Sequence, residues 1–192
     1  MNRIVSSISV SLDGYFEGPD RGIDWHLVDE EVHQHFNDTL RTAGAFLEGR
    51  VTYQLMEEFW PTADQDPANA GPMAEFAGIW RDMPKYVYSR TLTSVGPGAT
   101  LVREVDRDAV CAVRDAAAGD LIVGGADLVE TFRRLDLVDE YRIYVHPVLL
   151  GRGRPYFGEL TGRQGLRLLE TRAFGNGVVL LRYETDPAPA DA

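Results

Sequence analysis

Apolar and polar positions along this chain follow two periods, and the switches between them mark its elements. Ile4, Ile8 and Val10, with Val5 between them, outline a β-branched first strand that stops at Ser11-Leu12-Asp13-Gly14. A long polar, glycine-bearing segment then runs to Ile23-Asp24-Trp25, a length of loop that in small domains often carries function. Asp29 stands where a helix cap belongs, ahead of a stripe of Val32, Phe36 and Leu40, and Asp29, Glu30 and Glu31 suit the first-turn dipole. Ala45-Phe46-Leu47 predicts a second strand, and Glu48-Gly49-Arg50-Val51-Thr52-Tyr53 the turn into the next helix. Residues 62–72 are polar and proline-bearing, which predicts a loop, and Met73, Phe76, Trp80 and Met83 outline another helix. Tyr86-Val87-Tyr88 is a third strand ending at Ser89-Arg90, with a short strand at residues 100–102 and an alanine-rich helix at 106–117.

The remaining pattern is organised around residues 120–157. Leu121-Ile122-Val123 is a short apolar run of the kind expected for a buried strand, followed by Gly124-Gly125. A helical stripe of Leu128, Phe132 and Leu135 comes next, with Asp127 as its cap or first-turn acid. Tyr141, Ile143 and Val145 alternate with Arg142, Tyr144 and His146, a strand at period two. Residues 166–174 and 178–183 flank Gly175-Asn176-Gly177, a strong hairpin signal. Alternating strands and helices closed by a hairpin predict an α/β fold with a mostly parallel sheet and an antiparallel C-terminal edge. No repeat or linker divides the chain, so one domain is expected over residues 1–185, with a disordered tail at 186–192.

Charge and composition narrow the partners. A net charge of -11 and a pI near 4.7 argue against nucleic acid and anionic membrane surfaces as ligands. No apolar stretch is long enough to span a bilayer. Met1-Asn2-Arg3 runs straight into a strand without a signal-peptide pattern, so a cytoplasmic location is expected. The single cysteine, Cys111, excludes an internal disulfide framework and a cysteine-rich zinc site, and its helical setting predicts a buried, inert thiol. His33 and His35 lack metal-ligand partners at useful spacing and are expected as solvated surface residues, so no metal is called for.

Three predicted strand ends carry glycine, arginine or a hydroxyl: Gly49-Arg50-Val51-Thr52, Ser89-Arg90 and Gly124-Gly125. Ligands of open α/β sheets bind outside the carboxyl ends of strands, so these turns are expected to converge on an extended, phosphate-bearing ligand. Trp25 is either a core anchor or a wall of a ligand site.

The ordered set SLDG (Ser11 to Gly14), Trp25, GRVTY (Gly49 to Tyr53), YSR (Tyr88 to Arg90) and GGADL…LVDEY…HPVLLGRGRPYF resembles the dihydrofolate reductase-like superfamily. Within it, the closer likeness is to the reductase domain of riboflavin biosynthesis. The resemblance implies a dihydrofolate reductase-like sheet with helices on both faces, and NADPH bound across the strand ends. It implies that Gly49, Arg50, Val51 and Thr52 meet the cofactor phosphates and that Ser89 and Arg90 hold the 2′-phosphate. Gly124, Gly125, Ala126, Asp127 and Leu128 would line the pyrophosphate and the nicotinamide ribose. Guanidinium groups at the 2′-phosphate favour NADPH over NADH.

Asp13, Tyr15 and Trp25 are then candidates for substrate contact, and Asp29, Glu30 and Glu31 compete for the role of proton donor. The chain has Tyr15 where riboflavin-type reductases carry a basic residue. It also lacks their Asp-Asp-Pro segment and the H-x-E with P-C-x-x-C deaminase signature, so their substrate does not carry over. The activity implied is hydride transfer to a C=N or C=O bond of a small heterocyclic or ribosylamino substrate. The alternative is a non-catalytic NADP(H)- or small-ligand-binding protein on the same fold. The family also implies a cis peptide bond between Gly124 and Gly125. The apolar His146-Pro147-Val148-Leu149-Leu150 run adds to its implication of a homodimer.

Overall fold

A computed structural model describes residues 1–158 and 162–186, so residues 187–192 of the expected tail lie outside the described residues. In chain order the elements are β1 (Ile4–Ser11), β2 (Tyr15–Glu17), α1 (Glu30–Leu40), β3 (Ala45–Gly49) and α2 (Arg50–Phe59). Two 3₁₀ turns, Trp60–Gln65 and Pro67–Asn69, lead to α3 (Pro72–Asp82), β4 (Lys85–Tyr88), β5 (Ala99–Val102) and α4 (Arg107–Ala116). Then follow β6 (Leu121–Gly124), α5 (Ala126–Arg134), β7 (Glu140–His146), β8 (Arg154–Pro155), β9 (Leu166–Ala173) and β10 (Val179–Thr185). The fold is mixed α/β and mostly parallel with an antiparallel edge, as the sequence predicts.

Two compact units are built from these elements: Met1–Ile4 with Val28–Leu137, and Val5–Leu27 with the chain from Val138 onward. The first unit carries four parallel strands in the order β5-β4-β3-β6. The inner strands β3 and β6 are short, mostly apolar and buried nearly throughout, as is usual for parallel strands covered on both faces, whereas β4 alternates and the edge strand β5 is only partly buried. Leu47, Val87, Leu121 and Val123 are fully buried, and Trp80 of α3 stacks on Phe46 at 5.6 Å. Helix α1 is capped as predicted, with the Asp29 carboxylate accepting from the Val32 N–H at 3.0 Å. Its buried positions are Val32 and Asn37 rather than the whole predicted stripe. Asn37 donates to the Pro72 carbonyl at 2.8 Å and to Glu75 at 2.9 Å, tying α1 to α3.

The second unit pairs β1 and β7 in parallel and sets β10 antiparallel between β7 and β9. The Gly175-Asn176-Gly177 hairpin forms as predicted, with the Phe174 N–H bonded to the Val178 carbonyl and Gly177 at φ +88°. Glu140 is fully buried on β7 and accepts from Arg142 at 2.6 Å and Arg182 at 3.0 Å. Burial raises its pKa, but the bonds from these two guanidiniums outweigh it and hold the carboxyl below its usual range.

Several local expectations need correction. The polar segment after Gly14 is not all loop, since Tyr15–Glu17 pairs with Arg154–Pro155, a ribbon too short to show alternation. The segment expected as loop at residues 62–72 instead lies largely in two 3₁₀ turns, Trp60–Gln65 and Pro67–Asn69, each with a proline in its first positions. His33 is half-buried, not solvated, because Trp60 and Phe76 pack against its ring at 5.9 and 6.1 Å. Cys111 is half-buried rather than fully enclosed. Among the described residues no helix is long and apolar enough to cross a membrane.

Glu48, at the end of the β3 apolar run, is only 5% exposed. Burial pushes its pKa from 4.5 up to about 8, opposed by the Lys85 charge and reinforced by Glu57. Lys85 is itself buried, donating to the carbonyls of Trp80 and Met83 and lying 4.6 Å over the Trp80 ring. The folded chain thus keeps a proton that the unfolded chain releases, so Glu48 costs stability increasingly as pH rises from 4.5 toward 8. Glu48→Gln is expected to remove that trend. It should gain on the wild type by on the order of 1–3 kcal/mol near pH 8 and by little near pH 5. Urea unfolding at the two pH values measures the difference, and a pH-independent gap would show that the carboxyl is ionised in the fold.

Candidate functional site: the strand ends of the first unit

The parallel register of the first unit sets three turns side by side. Gly49 is level with Tyr88 across β3 and β4, and Glu48 is level with Gly124 across β3 and β6. Gly49–Thr52, Ser89–Arg90 and Gly124–Leu128 therefore leave the carboxyl ends of three adjacent strands, as the sequence anticipates. Gly49 and Gly125 are the N-caps of α2 and α5, and neither helix start has a side-chain cap. The backbone donors of both first turns are thus left without the serine or aspartate that closes most helix starts.

Gly125 turns the chain with φ +92° and ψ 116°. A Cβ there would stand 3.0 Å from the Thr52 hydroxyl and 3.6 Å from the Gly49 backbone. The expected cis bond between Gly124 and Gly125 is not found, since no peptide bond among the described residues is cis. A glycine at positive φ re-aims the backbone at little cost, whereas a cis bond outside proline costs ~2.5–4 kcal/mol. Ala126 begins α5, Asp127 is its first-turn acid rather than its cap, and Leu128 is buried beneath the turn.

The side chains at these ends are mixed in their engagement. Arg50 and Val51 are exposed, and Arg50 donates to Gln54 at 2.9 Å. Thr52 lies against both glycines, its methyl 3.6 Å from where a Gly124 Cβ would be. Ser89 is buried, and its hydroxyl oxygen accepts from the N–H groups of Thr91 and Leu92 at 3.2 and 3.0 Å. Arg103 braces the same loop through the carbonyls of Ser89 and Leu92, leaving Arg90 exposed. Open helix starts and exposed guanidiniums at adjacent strand ends form a cradle suited to a polyanion. A phosphate-bearing ligand placed here would meet the exposed charges of Arg50 and Arg90 and could approach the backbone closely at Gly125.

Asp29, Glu30 and Glu31 are all exposed at the start of α1, and Asp29 is committed to the cap. The buried acid of this unit is Glu48, which sequence reasoning passes over. Its only signal there is its position directly after Ala45-Phe46-Leu47.

The three residues expected to meet substrate lie in the second unit. Asp13 accepts from the Ser11 hydroxyl at 2.6 Å and from the N–H groups of Leu150 and Gly151 at 3.1 and 2.7 Å. The Ser11 bond first, with the backbone donors, holds its carboxyl below the usual range. Tyr15 lies on β2, its N–H donated to the Ser11 hydroxyl at 3.0 Å. Trp25 is half-buried and sets its edge against His26 at 4.3 Å and His146 at 5.6 Å. His26 and His146 stack at 5.2 Å, and neither is singled out by sequence reasoning, although one adjoins Trp25 and the other closes a strand. Burial, then the His146 charge, lowers the His26 pKa to about 4.

Comparison with known proteins supplies the family of the chain. The chain is 33% identical over 182 residues to the uncharacterized protein YyaP of Bacillus subtilis (strain 168), covering 94% of each. Among solved structures, a Shewanella sp. PV-4 chain named for riboflavin biosynthesis superposes with a TM-score of 0.73 at 22% identity, over 96% of this chain and 99% of that one. Dihydrofolate reductase from Enterococcus faecalis, solved with NADP(H), has the same fold at a TM-score of 0.63 and 14% identity, over 96% and 97% of the two chains. The RibD C-terminal domain family matches residues 2–180, and the chain belongs to that family.

Proposed function

We propose that the chain is an NADPH-dependent oxidoreductase of this family that reduces a C=N or C=O bond of a small heterocyclic or ribosylamino substrate. The observation that carries the reading is the convergence of the three strand-end turns in the first unit, with the Thr52 hydroxyl 3.0 Å from where a Cβ of residue 125 would stand. NADPH would supply the hydride. Arg50 and Arg90 would meet its phosphates, the open start of α5 would receive the pyrophosphate, and Gly125 would let that group reach the backbone. The same reading takes the protein as cytoplasmic. It also takes it as a homodimer, with Leu149, 70% exposed, on the surface that a partner would cover.

A non-catalytic NADP(H)-binding protein is the second reading, favoured by the exposure of all three candidate acids on α1. Loss of NADPH absorbance with dihydropterins and ribosylaminopyrimidines separates the two, since a binder titrates the cofactor without turnover.

Each charge-assisted phosphate contact contributes roughly 1.5–3 kcal/mol. Arg90→Ala is therefore expected to weaken NADPH about tenfold or more and NADH hardly at all. Equal losses in a fluorescence titration with both cofactors would remove Arg90 from the 2′-phosphate. Gly125→Ala should abolish binding of both cofactors, because its methyl group meets Thr52 and its φ of +92° is strained for alanine. Undiminished binding by a folded Gly125→Ala protein would exclude the close approach. Light scattering at micromolar concentration should give twice the chain mass, and a monomer mass would exclude the homodimer.

A further inference from the structure

In the second unit, the segment between β2 and α1 folds on itself. The Gly18 N–H bonds to the Gly22 carbonyl at 2.9 Å, the Arg21 N–H to the Gly18 carbonyl at 3.0 Å, and Arg21 sits at φ +60°. The Trp25 indole donates to the Gly22 carbonyl at 3.2 Å, and the His26 N–H to the Ile23 carbonyl at 3.1 Å. The loop ends at Leu27, whose backbone is gripped from both sides. Its N–H donates to Nδ1 of His146 at 2.9 Å, and its carbonyl accepts from the side-chain amide of Asn176 at 3.0 Å. Asn176 belongs to the β9–β10 turn and is oriented by the Val178 N–H, which donates to its Oδ1 at 3.1 Å. His146 is fully buried at the end of β7, with His26 stacked on its ring at an interplanar angle of 22°.

We propose that His146 is a positioning residue that latches the loop of residues 18–27 through the Leu27 N–H, and that protonation of its ring opens the latch. An Nδ1 that accepts a hydrogen bond carries no proton, so the bound ring is the neutral form with its proton on Nε2. A second proton must go to Nδ1. That turns the acceptor into a donor facing another donor, and the bond to Leu27 is lost.

The groups around the ring supply no compensating anion. His26 and Trp25 lie against it from the loop, and Ser11 is its partner across β1. Asn176 meets it only through the Leu27 peptide, and the Asp13 carboxylate beyond Ser11 is already taken by Ser11, Leu150 and Gly151. The Nε2 atoms of His26 and His146 are both buried without a protein partner among the described residues. Burial lowers the His146 pKa from its ordinary 6.5. The latch is therefore intact above 6.5 and is lost as pH falls through the depressed folded value. It operates whether or not the chain turns over NADPH, and in a reductase it would govern how firmly Trp25 is presented.

Amide hydrogen exchange on the full chain tests the latch. The readout is protection of Leu27 and residues 18–26 relative to the amides of β7, from about pH 7.5 down to about pH 5. In the wild type, protection of the loop should fall about tenfold or more across that range while β7 is unchanged. His146→Asn places an amide oxygen near the Nδ1 position and cannot be protonated there, so its loop protection should fall clearly less in acid than that of the wild type, the remaining fall being that of the buried His26 ring. Asn176→Ala should lower loop protection at pH 7.5 and retain the acid-dependent fall. Wild-type protection that is constant with pH overturns the proposal, as does an equal fall in His146→Asn. If His146→Asn does not fold, His26→Gln decides: a fall confined to residues 18–27 that survives loss of the His26 ring supports the latch, and a fall shared by β7 or lost with His26 overturns it.

Discussion

A parallel ladder delivers the carboxyl ends of neighbouring strands side by side, and the first unit depends on that constraint. With Gly49 level with Tyr88 and Glu48 level with Gly124, three turns distant in sequence leave the sheet together. Once they are that close, side-chain volume becomes limiting. Gly125 has Thr52 and Gly49 where its Cβ would be, and both helices that follow begin on a glycine. Capping these helices with serine or aspartate would stabilise them locally, and at the same time would close the backbone donors that an anion needs. Neither α2 nor α5 has a side-chain cap, whereas α1 and α4 are capped by Asp29 and Asp106; α3, which starts after Gly71, is uncapped as well.

Two clusters of buried charge, around Glu140 and around Glu48, are resolved differently. Glu140 keeps its negative charge because two guanidiniums reach it directly, an arrangement in which hydrogen bonding overcomes the cost of burial. Glu48 has Lys85 nearby, but Lys85 directs its hydrogen bonds to the carbonyls of Trp80 and Met83. Desolvation therefore prevails, and the carboxyl holds its proton near neutrality. The two acids differ in the partners that packing brings to them, not in chemistry. Glu48 sits one residue before the turn that opens at Gly49.

The second unit contributes fixed loops rather than an anion cradle. Asp13 draws Ser11, Leu150 and Gly151 together, while His146 and Asn176 grip the N–H and the carbonyl of Leu27, at the end of the loop that carries Trp25. Both arrangements use one or two polar side chains to order a chain segment through its backbone. Such segments lie at the low end of local stability, and a change at one bond alters their order without disturbing the strands beneath.

The sequence by itself determined the class of the fold, most of its strands and helices, the C-terminal hairpin and the three glycine-bearing strand ends. Each depends on local signals: period-two and helical stripes, Asp29 before α1, and glycines flanking Asn176 in the turn. The family likeness rested on motifs of the same local kind, and the RibD C-terminal domain match bears it out. Tertiary structure decided everything that depends on which side chains meet across long separations. His33 is packed by Trp60 and Phe76, Glu48 is neutralised in the company of Lys85 and Glu57, and His146 finds the Leu27 N–H 119 residues away. It also decided that positive φ at Gly125, not a cis bond, turns the backbone into α5. Burial and partnership set the charge of an ionisable group, and neither is encoded in any window of neighbouring residues.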